Sequence, residues 1–368
     1  MNIHYLNRSA SSLHRNVLTT AVMLAAGLLG FAGALPSPAT AKTLEEASIA
    51  TPVALEQAAK NLRADYRQQQ WKRLAQKQDR DSLIAAVLLG MPNDAEYLDL
   101  PKDMENKQID GNVDVEQHLA KVFGHDPLAL FTLALSCQMQ TKPCAHPEHY
   151  DALVRIAPDN AVHWLMLPNG AAPSDAQLHA AAAATQADTH LRDVVRILRT
   201  ALANQPAPST RPGTDPRELA LLLRRNAVDQ VMLAKIGTVL PMCKGVVAQR
   251  RDDCVAVGRL FVSDRSGSIV SRMIGSAMLR RLFKGMPEEI AAKQLRREYV
   301  WMGEQQESNS RPNWELLQNE VVTFGQWEAS KRDVERLGAS QLPPASWIPK
   351  NPQTLLLTEE RTPVAPAK

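Results

Sequence analysis

The sequence lacks the pattern expected of a β-sheet protein. No stretch alternates convincingly between apolar and polar side chains with a period of two, and runs of β-branched residues are short. Apolar residues recur instead with helical spacing, clearly so at Val270, Met273, Ile274 and Ala277. The chain is therefore predicted to be all-α.

Recognisable catalytic and nucleotide-binding motifs are also missing. The sequence has no phosphate-binding loop, no Gly-x-Gly-x-x-Gly and no His-Glu-x-x-His. The polar loop 263–268 is not a Gly-x-Ser-x-Gly nucleophile elbow, since no strand is predicted before it. Ser268 is predicted to cap the following helix. No cofactor is predicted and a non-enzymatic role is favoured, although a triad assembled in space leaves no sequence motif.

A strong charge imbalance is missing from the mature chain. Residues 1–41 contain two of the 42 basic residues, Arg8 and Arg15, and none of the 39 acidic ones, so their removal leaves a net charge of +1. Nucleic-acid binding needs a basic footprint, so no nucleic acid is expected as a partner.

Acidic residues are absent before Glu45, and an apolar run covers residues 17–35. The small residues Ala39-Thr40-Ala41 follow, as in a signal-peptidase site, so residues 1–41 are predicted to be a secretory signal peptide. A retained membrane anchor is the alternative, because the run is close to the lower limit for a span. With cleavage, the protein is periplasmic or secreted and has no transmembrane segment.

The stretch 126–167 gives the clearest start and stop signals. Asp126 and Pro127 are typical of a helix N-cap and first turn, and they precede a short, strongly apolar helix. A second helix ends at Pro158, and Asp159 marks the start of a third. Two short helices and the beginning of another are therefore predicted.

This stretch resembles a tetratricopeptide repeat (TPR), a helix–turn–helix unit that stacks into solenoids. The first unit and its continuation would place apolar, small or aromatic pattern residues at Leu130, Leu133, Ala134, Cys137, Tyr150, Leu153, Trp164, Leu167, Ala180, Ala184 and Ala187. His146, Pro168 and Arg192 depart from the pattern. The resemblance covers residues 126–187 and implies stacked antiparallel helical hairpins that bind proteins or peptides. The alternative is an ordinary pair of helices with the same spacing.

The four cysteines form two close pairs behind the predicted export signal. Three pairings exist, and spacing favours Cys137–Cys144 and Cys243–Cys254. Each pair lies where a helix gives way to a polar loop, so the disulfides are predicted to fasten helix corners.

The best metal-ligand spacing is Cys144-x-His146-x-x-His149. Zinc would need a Cys144 thiolate and a further ligand, and a disulfide to Cys137 removes that thiolate. We therefore predict no metal, with both histidines on the exposed start of a helix.

Basic residues come as doublets in the second half, where residues 215–300 hold 16 basic and 9 acidic side chains. The doublets are Arg224-Arg225, Arg250-Arg251, Arg280-Arg281 and Arg296-Arg297. One interpretation is a basic surface for an anionic envelope component, formed by Arg250, Arg251, Arg280 and Arg281. The preferred one is the solvated faces of amphipathic helices. In both, Arg280 points to solvent and Arg281 lies at the margin of the apolar face.

Five segments are predicted from these signals. They are the signal peptide 1–41, an N-terminal helical region 42–203, a Pro-rich linker 204–214, a C-terminal helical region 215–338 and a Pro-rich, extended or disordered tail 339–368. Outside the central stretch, a long helix is predicted to start at Thr51-Pro52, with an apolar face that runs to Tyr66. Further helices are predicted at 82–89, 114–123, 174–186, 188–203, 216–242, 252–262, 268–283, 287–307 and 312–337.

Two functions remain open. The first is an exported, non-catalytic helical module of a bacterial-type cell envelope that binds another protein or a peptide. The second is an envelope hydrolase whose site is assembled in space. A groove without converging polar groups would favour the first, and clustered carboxylates or histidines in a pocket would favour the second.

Overall fold

The computed structural model describes residues 65–91, 111–139, 144, 146–203, 236–244, 248–308 and 313–361. The predicted signal peptide 1–41, the start of the long helix at Thr51-Pro52, the linker 204–214 and Arg224-Arg225 lie outside these residues. Tyr66–Lys368 forms one compact unit. Within the described ranges the chain is helical, and its one β-bridge joins Asn160 to Gln186. The all-α prediction is confirmed.

The α-helices are numbered here in chain order, after a helical segment at residues 65–75. They are α1 (Arg80–Gly90), α2 (Asn112–Phe123), α3 (Pro127–Met139), α4 (Glu148–Ile156), α5 (Ala161–Leu165), α6 (Asp175–Ala183), α7 (Leu191–Leu202), α8 (Val239–Met242), α9 (Ala248–Val262), α10 (Ile269–Leu282), α11 (Pro287–Glu307), α12 (Trp314–Phe324) and α13 (Gln326–Arg336). Short 3₁₀ turns lie at Pro168–Gly170, Ile236–Thr238, Pro352–Leu355 and Thr358–Glu360.

Side-chain caps explain where several helices begin. The Asp126 carboxylate accepts a hydrogen bond from the Ala129 amide at 2.9 Å, and Pro127 is the first residue of α3. Ser174 and Gln177 form a complete capping box at α6. Ser268 accepts from the Ser271 amide at 3.3 Å, so the predicted Ser268 cap of α10 is confirmed.

The apolar helix α3 is buried on all sides, as its composition predicts. Every residue from Leu128 to Gln138 is buried, and α3 packs against α1, α2 and α4. Buried polar side chains of α2 and α3 are hydrogen-bonded to one another. The Ser136 hydroxyl on α3 donates to Glu116 on α2 at 2.5 Å, and Asn112 donates to the same carboxylate at 2.9 Å. These bonds satisfy polar atoms that would otherwise destabilise the core.

Helices α3 and α4 pack together, and so do α5 and α6, where the TPR resemblance was drawn. Helix α5 ends at Leu165, ahead of the 3₁₀ turn that begins at Pro168. Contacts distant in sequence close the unit: α7 packs on both α1 and α12, and α6 packs on α9. In a strict solenoid each repeat contacts only its neighbours, so these contacts between distant helices differ from that arrangement.

One predicted helix, 312–337, is two helices in the structure. Gly325 separates α12 from α13 with a φ of +84°, a conformation that glycine adopts without steric cost. A β-carbon built there would lie 2.6 Å from the Ser266 carbonyl oxygen. The Trp327 amide donates to the Gly267 carbonyl at 2.9 Å, so the break docks the α12–α13 corner on the loop before α10.

Candidate functional site

The four cysteines pair as predicted. The Cα–Cα distance is 5.1 Å for Cys137 and Cys144 and 5.8 Å for Cys243 and Cys254, and no described cysteine is free. The first disulfide fastens the end of α3, and the second joins the residue after α8 to α9. Both therefore hold helix corners in place.

The prediction that Arg280 points to solvent is wrong. Arg280 is 4 % exposed; its guanidinium donates to the Leu355 carbonyl at 2.9 Å and to Glu360 at 3.1 Å. Arg281, with a side chain 16 % exposed, makes a two-point ion pair with Glu359 at 2.6 and 2.9 Å. Both arginines are covered because the C-terminal segment lies across the polar side of α10, which helical periodicity alone does not show.

The remaining predicted basic residues also have partners within the protein. Arg250, on α9, lies 2.8 Å from Asp175 at the start of α6. Arg251 donates to the Leu282 carbonyl and stacks on the Phe283 ring, with its guanidinium carbon 5.9 Å from the ring centre. These side chains join helices and are poorly placed to form one free basic surface.

The C-terminal tail is not disordered over the described residues, contrary to prediction. Residues 342–361, called the tail segment below, have no α-helix and only two short 3₁₀ turns. They lie against α10 and α11 and combine irregular backbone with hydrogen-bonded turns, such as the turn closed by the Trp347 amide on the Pro344 carbonyl at 3.0 Å. Disorder is therefore wrong as far as residue 361, and so is a fully extended form, because these turns interrupt the segment.

Arginines on α11 hold the backbone of the tail segment. Arg297 donates to three carbonyl oxygens, those of Pro344 at 2.8 Å, Ala345 at 3.1 Å and Trp347 at 2.8 Å. Arg296 donates to the Thr354 carbonyl at 2.7 Å. All three Arg297 contacts come from one nitrogen, Nη2, whose two N–H groups are shared among the three carbonyls, so one side chain holds carbonyls that lie close together in the chain.

Aromatic packing adds side-chain contacts to these hydrogen bonds with the backbone of the tail segment. The Trp301 and Trp347 rings meet edge to face with centres 5.4 Å apart, a favoured arrangement of aromatic pairs. The Arg297 guanidinium also stacks over Trp347 at 5.1 Å. The Trp301 indole N–H donates to the Ser340 carbonyl at 2.8 Å. We call Arg280, Arg281, Arg296, Arg297 and Trp301 the tail-binding face.

Electrostatics favour the ionised pairs at the end of the tail segment. Hydrogen bonds from Arg281 lower the pKa of Glu359 to about 2. Burial lowers the pKa of Arg280, an effect that the nearby Glu360 opposes. The pairing signal was present in the sequence: Glu359-Glu360 is an acidic doublet in the Pro-rich tail, and it complements Arg280-Arg281.

A second polar cluster, which the sequence analysis missed, lies between α5 and α7. His163 is 1 % exposed; its Nε2 lies 2.9 Å from Nε2 of His190, and its Nδ1 lies 3.1 Å from the Ala157 carbonyl oxygen. His163 therefore donates from Nδ1 and accepts at Nε2, which makes it neutral. Burial, assisted by His190, lowers the pKa of His163 to about 3.

The loop before α10 carries a buried hydroxyl chain. Thr189 and Ser266 hydroxyls lie 2.6 Å apart, and Ser266 donates to Asp264. Burial raises the pKa of Asp264 to about 6. Ser266 is 1 % exposed, so its hydroxyl is hidden from any substrate. The chain joins the residues before α7 to the loop before α10 and gives no support to the hydrolase interpretation.

The two histidines considered for metal binding lie close together. Their ring centres are 5.6 Å apart, and Nδ1 of His146 lies 3.0 Å from Glu148. Cys144 is in its disulfide. The sequence analysis missed Glu148, although it stands between the two histidines in the chain.

Comparison with known proteins gives no family for this chain. A scan against models of protein families, a search of curated proteins and a search of solved structures each find no match. None of the described helices is both long and apolar enough to cross a membrane.

Proposed function

We propose that this protein is an exported, non-catalytic module that binds irregular, Pro-containing peptide segments of a partner protein at the tail-binding face. The single observation that carries the proposal is the way its own tail segment is held. Five backbone carbonyls of that segment, those of Pro344, Ala345, Trp347, Thr354 and Leu355, accept hydrogen bonds from three arginines on α10 and α11.

Recognition through carbonyls supports peptide binding because it depends little on side-chain identity. A segment without regular helix or sheet leaves carbonyls that need partners. The tail segment makes single turn hydrogen bonds, such as Trp347 N–H to the Pro344 carbonyl at 3.0 Å, and its carbonyls still accept from the arginines. Grooves that combine aromatic rings with donors are a recurring way to hold proline-rich chains. Arg297 is the central residue of the tail-binding face, since it contacts three carbonyls and stacks on Trp347.

The two ends of the tail segment indicate the ligand chemistry. Trp347 packs on Trp301 at one end, and Glu359 and Glu360 pair with Arg281 and Arg280 at the other. A partner peptide should therefore be proline-containing and irregular, aromatic near its start and acidic near its end. The protein's own tail segment would compete with it for the same face.

The TPR resemblance and the compartment are part of the same proposal. The sequential pairs α3–α4 and α5–α6 would be the two hairpins of a TPR-like portion, within a unit closed by α7. The signal-peptide pattern and the two disulfides support export to a periplasm or cell exterior, where disulfides persist.

The experiment measures peptide binding to the mature full-length chain. The probe is a fluorescently labelled synthetic peptide of residues 342–361, and the readout is fluorescence anisotropy. The substitutions Glu359→Gln and Glu360→Gln remove the charges that hold the protein's own tail segment, and they should increase binding of the unmodified probe. Binding should weaken as salt rises, because screening shortens to about 8 Å at physiological ionic strength.

Adding Arg297→Ala to this variant removes the Nη2 group and its three carbonyl contacts. It should weaken probe binding by about tenfold or more, since hydrogen bonds to charged groups contribute about 1.5–3 kcal/mol each. The matched control is Arg155→Ala, which removes an exposed arginine of α4. The proposal is wrong if the Glu-to-Gln variant does not bind the probe, or if Arg297→Ala and Arg155→Ala bind it equally.

A further inference from the structure

We propose that His146, Glu148 and His149 form a binding site for a divalent transition-metal ion of the zinc or copper class. One ligand atom from each of the three side chains can be chosen so that all three lie within 4.8 Å of one another. First-row metal ions bind imidazole nitrogen and carboxylate oxygen at about 2.0–2.2 Å, so a small rotation of each side chain would bring the three atoms onto one ion. The site shares no residue with the tail-binding face.

The backbone that carries these side chains is well fixed. His146 and His149 are separated by Pro147, whose φ of −63° lies in the right-handed helical region, and by Glu148, the first residue of α4. The Cys137–Cys144 disulfide anchors the chain two residues before His146. The His149 amide donates to the His146 carbonyl at 3.3 Å, which closes the turn. Binding would therefore need little ordering of the backbone.

The donor set decides the class of ion. Two imidazoles and one carboxylate suit zinc, copper or nickel, whereas calcium and magnesium prefer oxygen ligands. Cys144 cannot serve as a thiolate because its sulfur is bonded to Cys137. Glu148 supplies the third donor instead, and its side chain, 64 % exposed, leaves room for water at the remaining coordination position.

Nδ1 of His146 lies 3.0 Å from a Glu148 oxygen, so the carboxylate already holds that ring toward the site. A bound ion would replace this contact with two metal–ligand bonds.

The experiment is a calorimetric titration of Zn²⁺ into the oxidised, untagged mature chain after treatment with a chelator. We expect one equivalent to bind with micromolar affinity. His146→Gln and His149→Gln should each weaken binding by about tenfold or more, the size of loss seen when groups around a metal are removed. The control is His179→Gln, because His179 is an exposed histidine paired with Asp253 at 3.1 Å and is remote from the proposed ligands in sequence.

Co²⁺ provides a second readout, since its visible absorption reports coordination by imidazole. The two His-to-Gln variants should lose the absorption, and His179→Gln should keep it. The proposal is overturned if Zn²⁺ binds no tighter than millimolar or if the His146 and His149 variants bind like the parent. Binding that appears only after disulfide reduction would also overturn it, since the ligands would then be thiolates.

Discussion

Replacing Arg280 with alanine tests whether the C-terminal tail segment is part of the folded unit. The sequence alone predicts that alanine at Arg280 and Arg281 lowers thermal stability little, since both would face solvent. The structure predicts the opposite for Arg280. Its 4 % exposed guanidinium binds the Leu355 carbonyl and Glu360, and the substitution removes both contacts. Glu360 keeps the Leu357 amide as a donor at 2.8 Å.

The magnitude follows from those two contacts. Each is a hydrogen bond to or from a charged group, and such bonds contribute about 1.5–3 kcal/mol. Breaking a buried ion pair costs about 3–5 kcal/mol, but Glu360 keeps 34 % of its side chain exposed, so water can partly replace the arginine. We expect a loss of about 2–4 kcal/mol in the free energy of unfolding, or roughly 4–8 °C in Tm for a large domain.

The assay is chemical denaturation of the mature, oxidised chain, followed by circular dichroism. Arg155→Ala is the control, since Arg155 is exposed on α4, and it should change stability by no more than about 0.5 kcal/mol. Susceptibility to a C-terminal exopeptidase provides a local readout, and Arg280→Ala should make the tail segment easier to digest. Unchanged stability together with unchanged digestion would refute the conclusion that Arg280 anchors the tail segment.

Three further predictions rest on other parts of the fold. Burial holds the folded pKa of His163 at about 3, below the ordinary histidine value of about 6.5. Its contribution to stability is therefore complete above pH 6.5 and is lost as pH falls toward 3. Wild type should lose about 2 kcal/mol more than His163→Gln between pH 7 and 5, as measured by urea denaturation. Asp264 gives the opposite trend, since its raised pKa contributes stability that is lost as pH rises through about 6. That contribution is present in both proteins and cancels in the comparison. Equal changes in unfolding free energy with pH would therefore contradict the prediction. Gly325→Ala should lower Tm more than Gly338→Ala. Both glycines have a positive φ, but only at Gly325 would an added β-carbon meet backbone atoms. Equal losses of Tm would show that this steric clash does not contribute. N-terminal mass spectrometry of exported protein should find a start at or near Lys42, and an intact N-terminus in the membrane would contradict cleavage.

The helices could largely be predicted from sequence because their signals are local. The structure places α11 at Pro287–Glu307, over the same residues as predicted, and α10 at Ile269–Leu282 within one residue at either end. Proline at the first position and an apolar repeat act over a few residues, so a sequence shows them directly. The break at Gly325 was missed because one glycine within a helical pattern does not reveal that Ser266 approaches it from another part of the chain.

The candidate site could not be predicted for the same reason. The doublets Arg280-Arg281 and Arg296-Arg297 were visible, but their partners lie far along the chain, between Pro344 and Glu360. Helical periodicity identifies the apolar side of α10 and says nothing about what covers its other side. A proline-rich segment without a helical period fits both a disordered tail and an irregular segment held by carbonyl contacts.

The order of synthesis gives the tail segment a further consequence. Residues 342–361 are synthesised after α10 and α11, so both helices are complete before the segment that covers them arrives. Until then Arg280 has neither the Leu355 carbonyl nor Glu360 as a partner. A chain that stops early, or loses its C-terminus to a protease, keeps this arginine without a counterion and leaves the Trp301 ring uncovered. The tail segment therefore distinguishes a chain completed through residue 361 from one that is not.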